Sequence, residues 1–256
     1  MSSEQVSVDS LTLVPYLRVL TYPRISLRAA KSRVRELKIL GVTHLVFEGK
    51  ARVGRLGILG IGTVGVVVKA LRGDETLALK IRRTDANRPD MIAEARMTSF
   101  VNRFGVGPTV VAHSKNFMLM SLLEYQELDE WLRTLKGPGS RQGARDVVHE
   151  LLNECRKLDI MGVDHGQLSN LRKHAVVADG RPWIIDFESA STARRPKNVT
   201  AAAQYLFVGG RLSPRLRRAL GLKDPSKLLG ILSAYKGDMT DYSYSKLLEA
   251  LGIHTG

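Results

Sequence analysis

The chain has 256 residues, with 39 Lys and Arg against 25 Asp and Glu, so it carries a formal charge of +14 at pH 7, which suits phosphate-rich partners such as nucleotide, RNA or a ribosomal surface and equally suits a solvated face. At 44% hydrophobic and 25% charged residues it can bury a substantial core and does not have a disordered composition. Its single cysteine, Cys155, excludes an internal disulfide or a cysteine zinc cluster, no run reaches the roughly 18 apolar residues of a bilayer span, and the start MSSEQVSVDS lacks signal-peptide order, so a cytoplasmic protein without a membrane partner is expected.

After a polar N-terminal stub, Leu11 to Leu20 and Ser26 to Leu40 carry apolar residues at helical spacing, with Ser26 as N-cap and Gly41 as stop. The second of these helices holds Arg28, Lys31, Arg33, Arg35 and Lys38, either a solvated face or one that lies on nucleic acid. From Thr43 to Lys80 the texture changes to short strands, THLVFEG, RLGILG, VGVVVKAL and LALKI, separated by glycines and the turn Arg72 to Glu75, which predicts an antiparallel meander. A helix from about Pro89 to Phe104 precedes the strands TVVAHS and FMLMSLL, joined by a turn at Lys115 and Asn116. Beyond Glu124 the pattern is mainly helical: Glu127 to Leu135, the Gly/Pro/Ser-rich link KGPGSRQG, Ala144 to Leu158, and then Leu212 to Leu220, Pro225 to Tyr235 and Tyr244 to Leu251. One hairpin interrupts it, HAVV and RPWIID around Ala178 to Gly180.

Gly60-Ile61-Gly62-Thr63-Val64-Gly65 lies between two strand-like runs. A dinucleotide fold needs a helix after its last glycine, whereas here Val66 and Val67 continue as a strand, as in a glycine-rich loop over ATP phosphates or a plain hairpin turn. Lys80 ends an apolar strand immediately after this hairpin. Its ammonium is costly to bury unpaired, so it either meets an anion, such as the phosphates of a nucleotide, or snorkels to water at an edge. Glu94, in MIAEARM on the next helix, is its natural partner.

The order glycine hairpin, strand lysine, helix glutamate resembles protein kinases, and from roughly Gly57 to Gly209 the chain is similar to atypical kinases of the RIO type, in particular an archaeal group of serine/threonine protein kinases. The resemblance implies an α+β, bilobal protein kinase-like fold: a basic helical extension at 1–50, a β-rich N-lobe at 51–123 and a helical C-lobe at 124–256. It implies ATP with Mg2+ or Mn2+ as cofactors, with Gly60, Gly62, Gly65, Val67, Ala78, Lys80 and Met120 around the nucleotide and the backbone of Leu122 and Leu123 at a hinge. Trp183-Ile184-Ile185-Asp186-Phe187-Glu188 resembles the metal-binding Asp-Phe-Gly element, which puts Asp186 on the metal.

The catalytic loop departs from the family. Val163-Asp164-His165-Gly166-Gln167-Leu168-Ser169-Asn170 has Gln167 where the family has an aspartate, and an amide orients a hydroxyl without taking its proton. Either Asp164 supplies the carboxylate, or the chemistry rests on positioning by Gln167. Arg172 stands where the family has its second-metal asparagine, with Asn170 or His174 as the stand-in after a local shift, and His165 reads as structural, bonded to backbone near Asp186. The segment SASTARRPKNVT leaves no room for a long activation segment and puts Arg194, Arg195 and Lys197 where a phosphorylated or RNA-bound partner, or only solvent, would meet them.

The expected function is therefore transfer of a phosphoryl group from ATP to a serine or threonine of an acceptor protein or of the chain itself. The alternative is an ATPase or nucleotide-switched RNA- or ribosome-associated factor. A third scaffold relative, the aminoglycoside phosphotransferase, would need an acidic acceptor site, against the net charge here.

Overall fold

The computed structural model describes residues 3–137, 139–222 and 226–253. The chain divides into two compact units, Met1–Asn102 with Pro108–Leu123, and Arg103–Gly107 with Glu124–Gly256. The first unit is sheet-rich and the second helix-rich, so the protein is mixed α/β with a large antiparallel sheet.

In chain order the first unit runs β1 (Glu4–Ser7), a 3-10 turn at Val8–Thr12, α1 (Tyr16–Leu20), α2 (Leu27–Ile39), β2 (His44–Phe47), β3 (Ala51–Val53), β4 (Leu56–Ile58), β5 (Gly60–Ile61), β6 (Gly65–Arg72), β7 (Glu75–Arg82), α3 (Ile92–Asn102), β8 (Val110–His113) and β9 (Phe117–Ser121). The seven-stranded sheet has the order β1-β2-β6-β7-β9-β8, with β5 also on β6, while β3 and β4 form a separate pair. Every pairing in it is antiparallel.

Strand alternation gives this sheet two different faces. Val66, Val68 and Ala70 of β6 and Leu77, Leu79 and Ile81 of β7 pack with Leu17, Leu20, Ala30 and Leu37 of the N-terminal helices. Each fully buried leucine or isoleucine there contributes roughly 1.5–3 kcal/mol by leaving water. The intervening residues Val67, Ala78, Lys80, Met118 and Met120 fall on the opposite face, since Val67 pairs with Lys80, Lys80 with Met118 and Ala78 with Met120.

The first fifty residues thus supply two strands of the sheet, β1 and β2, and the helices that cover one of its faces. The polar stub expected at the N-terminus is in part β1, whose residues pair Glu4 with Phe47 and Ser7 with His44. Val6 is its one buried apolar side chain, too little for a periodicity signal. Helix α2 begins as expected, with Ser26 Oγ accepting the Ala29 N–H at 3.2 Å, and stops at Gly41, which has φ +76.

Not all of the α2 cations are solvated. Arg33 is 3% exposed and donates to the Leu20 carbonyl and to Asn116 Oδ1, while Glu36 accepts from the Asn116 side chain at 2.6 Å and from Ser114 Oγ at 2.7 Å. Arg82 at the end of β7 completes the set with a 3.1 Å bond to Asn116 Oδ1. Burial, with Arg82 nearby, lowers the Arg33 guanidinium to about 10, so it stays charged at neutral pH. This network ties α2 to the β8–β9 turn. Lys38 pairs with Asp9, and Arg28, Lys31 and Arg35 stay exposed on one stripe.

The second unit holds β10 (Tyr125–Glu127), α4 (Leu128–Thr134), α5 (Ser140–Ile160), α6 (Leu171–His174), β11 (Ala175–Ala178), β12 (Arg181–Ile184), α7 (Asn198–Gln204), α8 (Ser213–Leu220), α9 (Ser226–Asp238) and α10 (Asp241–Ala250). Its three-stranded sheet is β10-β11-β12. Helix α5 buries Val147, Val148, Leu151, Leu152, Cys155 and Leu158, and it starts at Ser140 inside the Gly/Pro/Ser-rich run rather than at Ala144. Pro138 of that run and Pro225, the expected start of α9, lie outside the described residues. No described helix is long and apolar enough to cross a membrane.

Candidate functional site

In the first unit the glycine run is a hairpin. Gly60 pairs with Val67 and Ile61 with Val66, and the Gly62 N–H donates to the Gly65 carbonyl at 2.7 Å, so the segment opens no helix. Arg83 braces the tip, its guanidinium donating to the Gly62 carbonyl at 3.1 Å and its backbone N–H to the Val64 carbonyl at 2.8 Å. Gly65 is held to glycine by closeness: a Cβ there would stand 3.0 Å from the Ile81 carbonyl oxygen and 3.0 Å from Cγ of Lys80.

Lys80 is 6% exposed and its Nζ lies 2.6 Å from Oε1 of Glu94, itself 4% exposed. Two opposite charges taken out of water at this distance form a charge-assisted hydrogen bond. Breaking such a pair by removing one partner costs about 3–5 kcal/mol. The pairing expected between these residues is therefore present. Val64, Met91, Ala95 and Met118 pack into a small cluster, with Met120 and Val110 against it. Beyond β9, residues 122–124 belong to neither strand, and the first unit ends at Leu123.

In the second unit the 163–170 loop is fixed by a buried polar relay. The His165 N–H donates to Asn198 Oδ1 at 2.9 Å, and Asn198 Nδ2 donates to the Val163 carbonyl at 2.6 Å and to Asp159 Oδ1 at 2.7 Å. Asp159 also accepts the N–H groups of Asn198 and Val199 at the start of α7 and the Tyr235 hydroxyl at 2.9 Å. Arg156 then donates to Tyr235 Oη at 3.0 Å and to Asp241 at 3.0 Å. Burial raises the Asp159 carboxyl, against which its hydrogen bonds work.

His165 is structural, as expected. Its Nε2 is 3.2 Å from the Ile185 carbonyl, the residue before Asp186, and its ring meets Phe187 edge-on with centroids 5.0 Å apart. Burial first, then the neighbouring His174, depresses its imidazole to about 4, so it is neutral at physiological pH.

Asp186 is one of three non-glycine residues with positive φ among those described, at φ +68 and ψ 72. Such a backbone costs on the order of 1 kcal/mol or more and persists where surroundings over-determine it. The surroundings here are the Ile185 N–H bonded to the His174 carbonyl at 3.0 Å and the buried Phe187. Carboxylate oxygens of Asp186 and Glu188 come within 4.8 Å of one another, a hard oxygen pair of the kind that suits Mg2+.

The two candidates for the catalytic-loop role differ. Asp164 is 2% exposed, its backbone bridges Ser191, and its carboxylate takes the Arg194 guanidinium at 2.7 Å. Gln167 carries a buried Oε1 that accepts no hydrogen bond among the described residues. Asn170 is exposed at the end of a short 3-10 turn, its N–H on the Gln167 carbonyl at 3.0 Å. Of the three cations in this segment, Arg194 is bound to Asp164 and Ser189, and Arg195 to the carbonyls of Lys236 and Gly237 at 2.6 and 2.9 Å.

Sequence reading missed Asp159, Asn198, Tyr235 and Arg156, which hold the loop. They lie as much as 79 positions apart, so no local spacing announces them.

No protein-family model matches the chain. It is similar to an uncharacterized protein of Methanocaldococcus jannaschii, 34% identical over 76 residues. That alignment covers 30% of this chain and 65% of the relative's length, just under two thirds.

Proposed function

We propose that the protein is an ATP-dependent phosphotransferase on a bilobal kinase-like scaffold, with the first unit as its N-lobe and the second as its C-lobe. The observation that carries this reading is the buried Lys80–Glu94 pair at 2.6 Å, on a strand that follows a glycine hairpin. A buried ion pair is a weak source of stability compared with apolar packing, so its presence where Gly65 packs closely on the Lys80 stem favours a binding role.

Bound ATP with Mg2+ or Mn2+ would supply the γ-phosphoryl group and the cationic charge that neutralises it in transfer. In the first unit, Lys80 would hold phosphate oxygens with Glu94 fixing its ammonium, and Gly60, Gly62 and Gly65 would let backbone approach them. Val67, Ala78 and Met120 would face the base, with backbone groups of Leu122 and Leu123 to bond it. In the second unit, Asp186 would hold the metal, with Glu188 beside it and Asn170 on the same loop as Gln167.

The Oε1 of Gln167 is buried with no partner among the described residues, and with its side chain turned outward it would accept a serine or threonine hydroxyl of the substrate. With Asp164 committed to Arg194, the acceptor hydroxyl would be oriented by the amide. Equilibrium titration with ATP in the presence of Mg2+ tests the assignment: Lys80→Met weakens binding at least tenfold, and unchanged affinity rules the site out.

One further reading keeps nucleotide binding but not protein phosphorylation. Gln167 in a carboxylate position suits orienting water, and Arg28, Lys31 and Arg35 form an exposed cationic stripe for RNA. An ATPase switch on RNA or ribosomes would then show RNA affinity that falls with salt, with a slope reduced by roughly 2 when the three cations become alanine.

A further inference from the structure

A cavity of about 320 Å³ opens within the second unit, lined by the 164–169 loop, α7 and α9. Its volume is at the small end of ligand pockets, room for a compact organic molecule. Leu168, Leu232 and Ala201 give it apolar walls, and the exposed Lys197 and Lys236 line it with two ammonium groups.

Charge accounting in this cavity comes out positive. Asp164 is the one carboxylate among the lining residues, and its charge is compensated by Arg194 at 2.7 Å. Both lysines therefore remain to meet a ligand. Arg195 pins the end of α9 that carries one of them by bonding the Lys236 carbonyl at 2.6 Å.

Thr200 lines the cavity at 7% exposure with its Oγ1 turned away from the open space, so the lysines are the groups the cavity offers to an anion.

We infer that this cavity is a binding site for a phosphomonoester. At neutral pH such a group carries roughly −1.5 to −2 charge, matching the two lysines, and lysine binds phosphate as a point charge. Its oxygens would receive Lys197 and Lys236, while the organic part lies on Leu168 and Leu232. The site lies on the loop that carries Gln167 but does not depend on the phosphotransferase reading, because binding needs no nucleotide.

The ester can come from a free small molecule or from a phosphorylated side chain, and two probes separate them. Glycerol 3-phosphate and a phosphoserine peptide are titrated calorimetrically onto the full chain without nucleotide, with glycerol and the unphosphorylated peptide as controls. Saturable binding of at least one phosphorylated probe, weakened tenfold or more in Lys197→Ala/Lys236→Ala, is expected. Glycerol 3-phosphate alone identifies a small-molecule source, and the peptide alone a protein source. Failure of both probes to bind overturns the site. So does an affinity that the double variant leaves unchanged while its melting temperature matches wild type.

Discussion

A Cβ on Gly65 would sit 3.0 Å from Cγ of Lys80, so a side chain in the hairpin at this position would press on the lysine stem. The conformation of Gly65 is not left-handed, and the constraint is contact rather than backbone strain. Gly65→Ala is therefore expected to push the Lys80 stem aside. Affinity for ATP should fall by about tenfold, a change of about 1.4 kcal/mol, while the melting temperature moves by only a few degrees. Titration and a thermal melt on the same preparation check both halves.

Lys80 and Glu94 are expected to be coupled energetically. Removing one partner leaves a buried charge, so Lys80→Met and Glu94→Gln should each destabilise by about 3–5 kcal/mol, and the double variant by clearly less than the sum. Urea denaturation of the four proteins gives the coupling, expected at about 1–3 kcal/mol. Additive effects would mean the contact has no energetic content.

How far the sequence announces this site depends on how local each feature is. The glycine hairpin, the strand lysine and Glu94 lie within 35 positions, and their residue types and order carry the chemistry openly. The Ser26 cap and the Gly41 stop were legible for the same reason. Arg33 was not, because an arginine on a cationic helix reads as solvated until Asn116, 83 positions away, is seen to accept from it. Strand β1 was hidden by its polar residues, and the start of α5 by glycines and a proline that normally break helices. The 163–170 loop was visible as a departure from a pattern, but the relay through Asp159 and Asn198 that shapes it is entirely long-range.

Stability should respond to pH through two buried groups of opposite sign. Burial pushes the Glu154 carboxyl from 4.5 up to about 7, opposed by the N–H of Ile184 that it accepts at 3.1 Å. The folded state thus holds that proton more tightly than the unfolded chain. Its contribution is full below about pH 4.5 and is lost as pH rises to about 7. His165, lowered from 6.5 to about 4, contributes above 6.5 and loses that contribution as pH falls. Glu154→Gln removes the first effect alone, so the variant should gain on wild type between pH 5 and pH 8 by up to about 3 kcal/mol. Denaturation series at both pH values measure the difference, and a constant offset would show that Glu154 does not titrate in this range.

The decisive measurement is turnover of γ-labelled ATP with Mg2+ or Mn2+, following label on protein separately from free phosphate. Wild type should transfer label to protein, and Lys80→Met and Asp186→Ala should each lose it by at least a hundredfold while remaining folded. Metal-independent turnover, or turnover that both variants retain, would contradict the phosphotransferase assignment. Release of free phosphate without labelled protein would do the same for protein phosphorylation and leave the ATPase reading in its place.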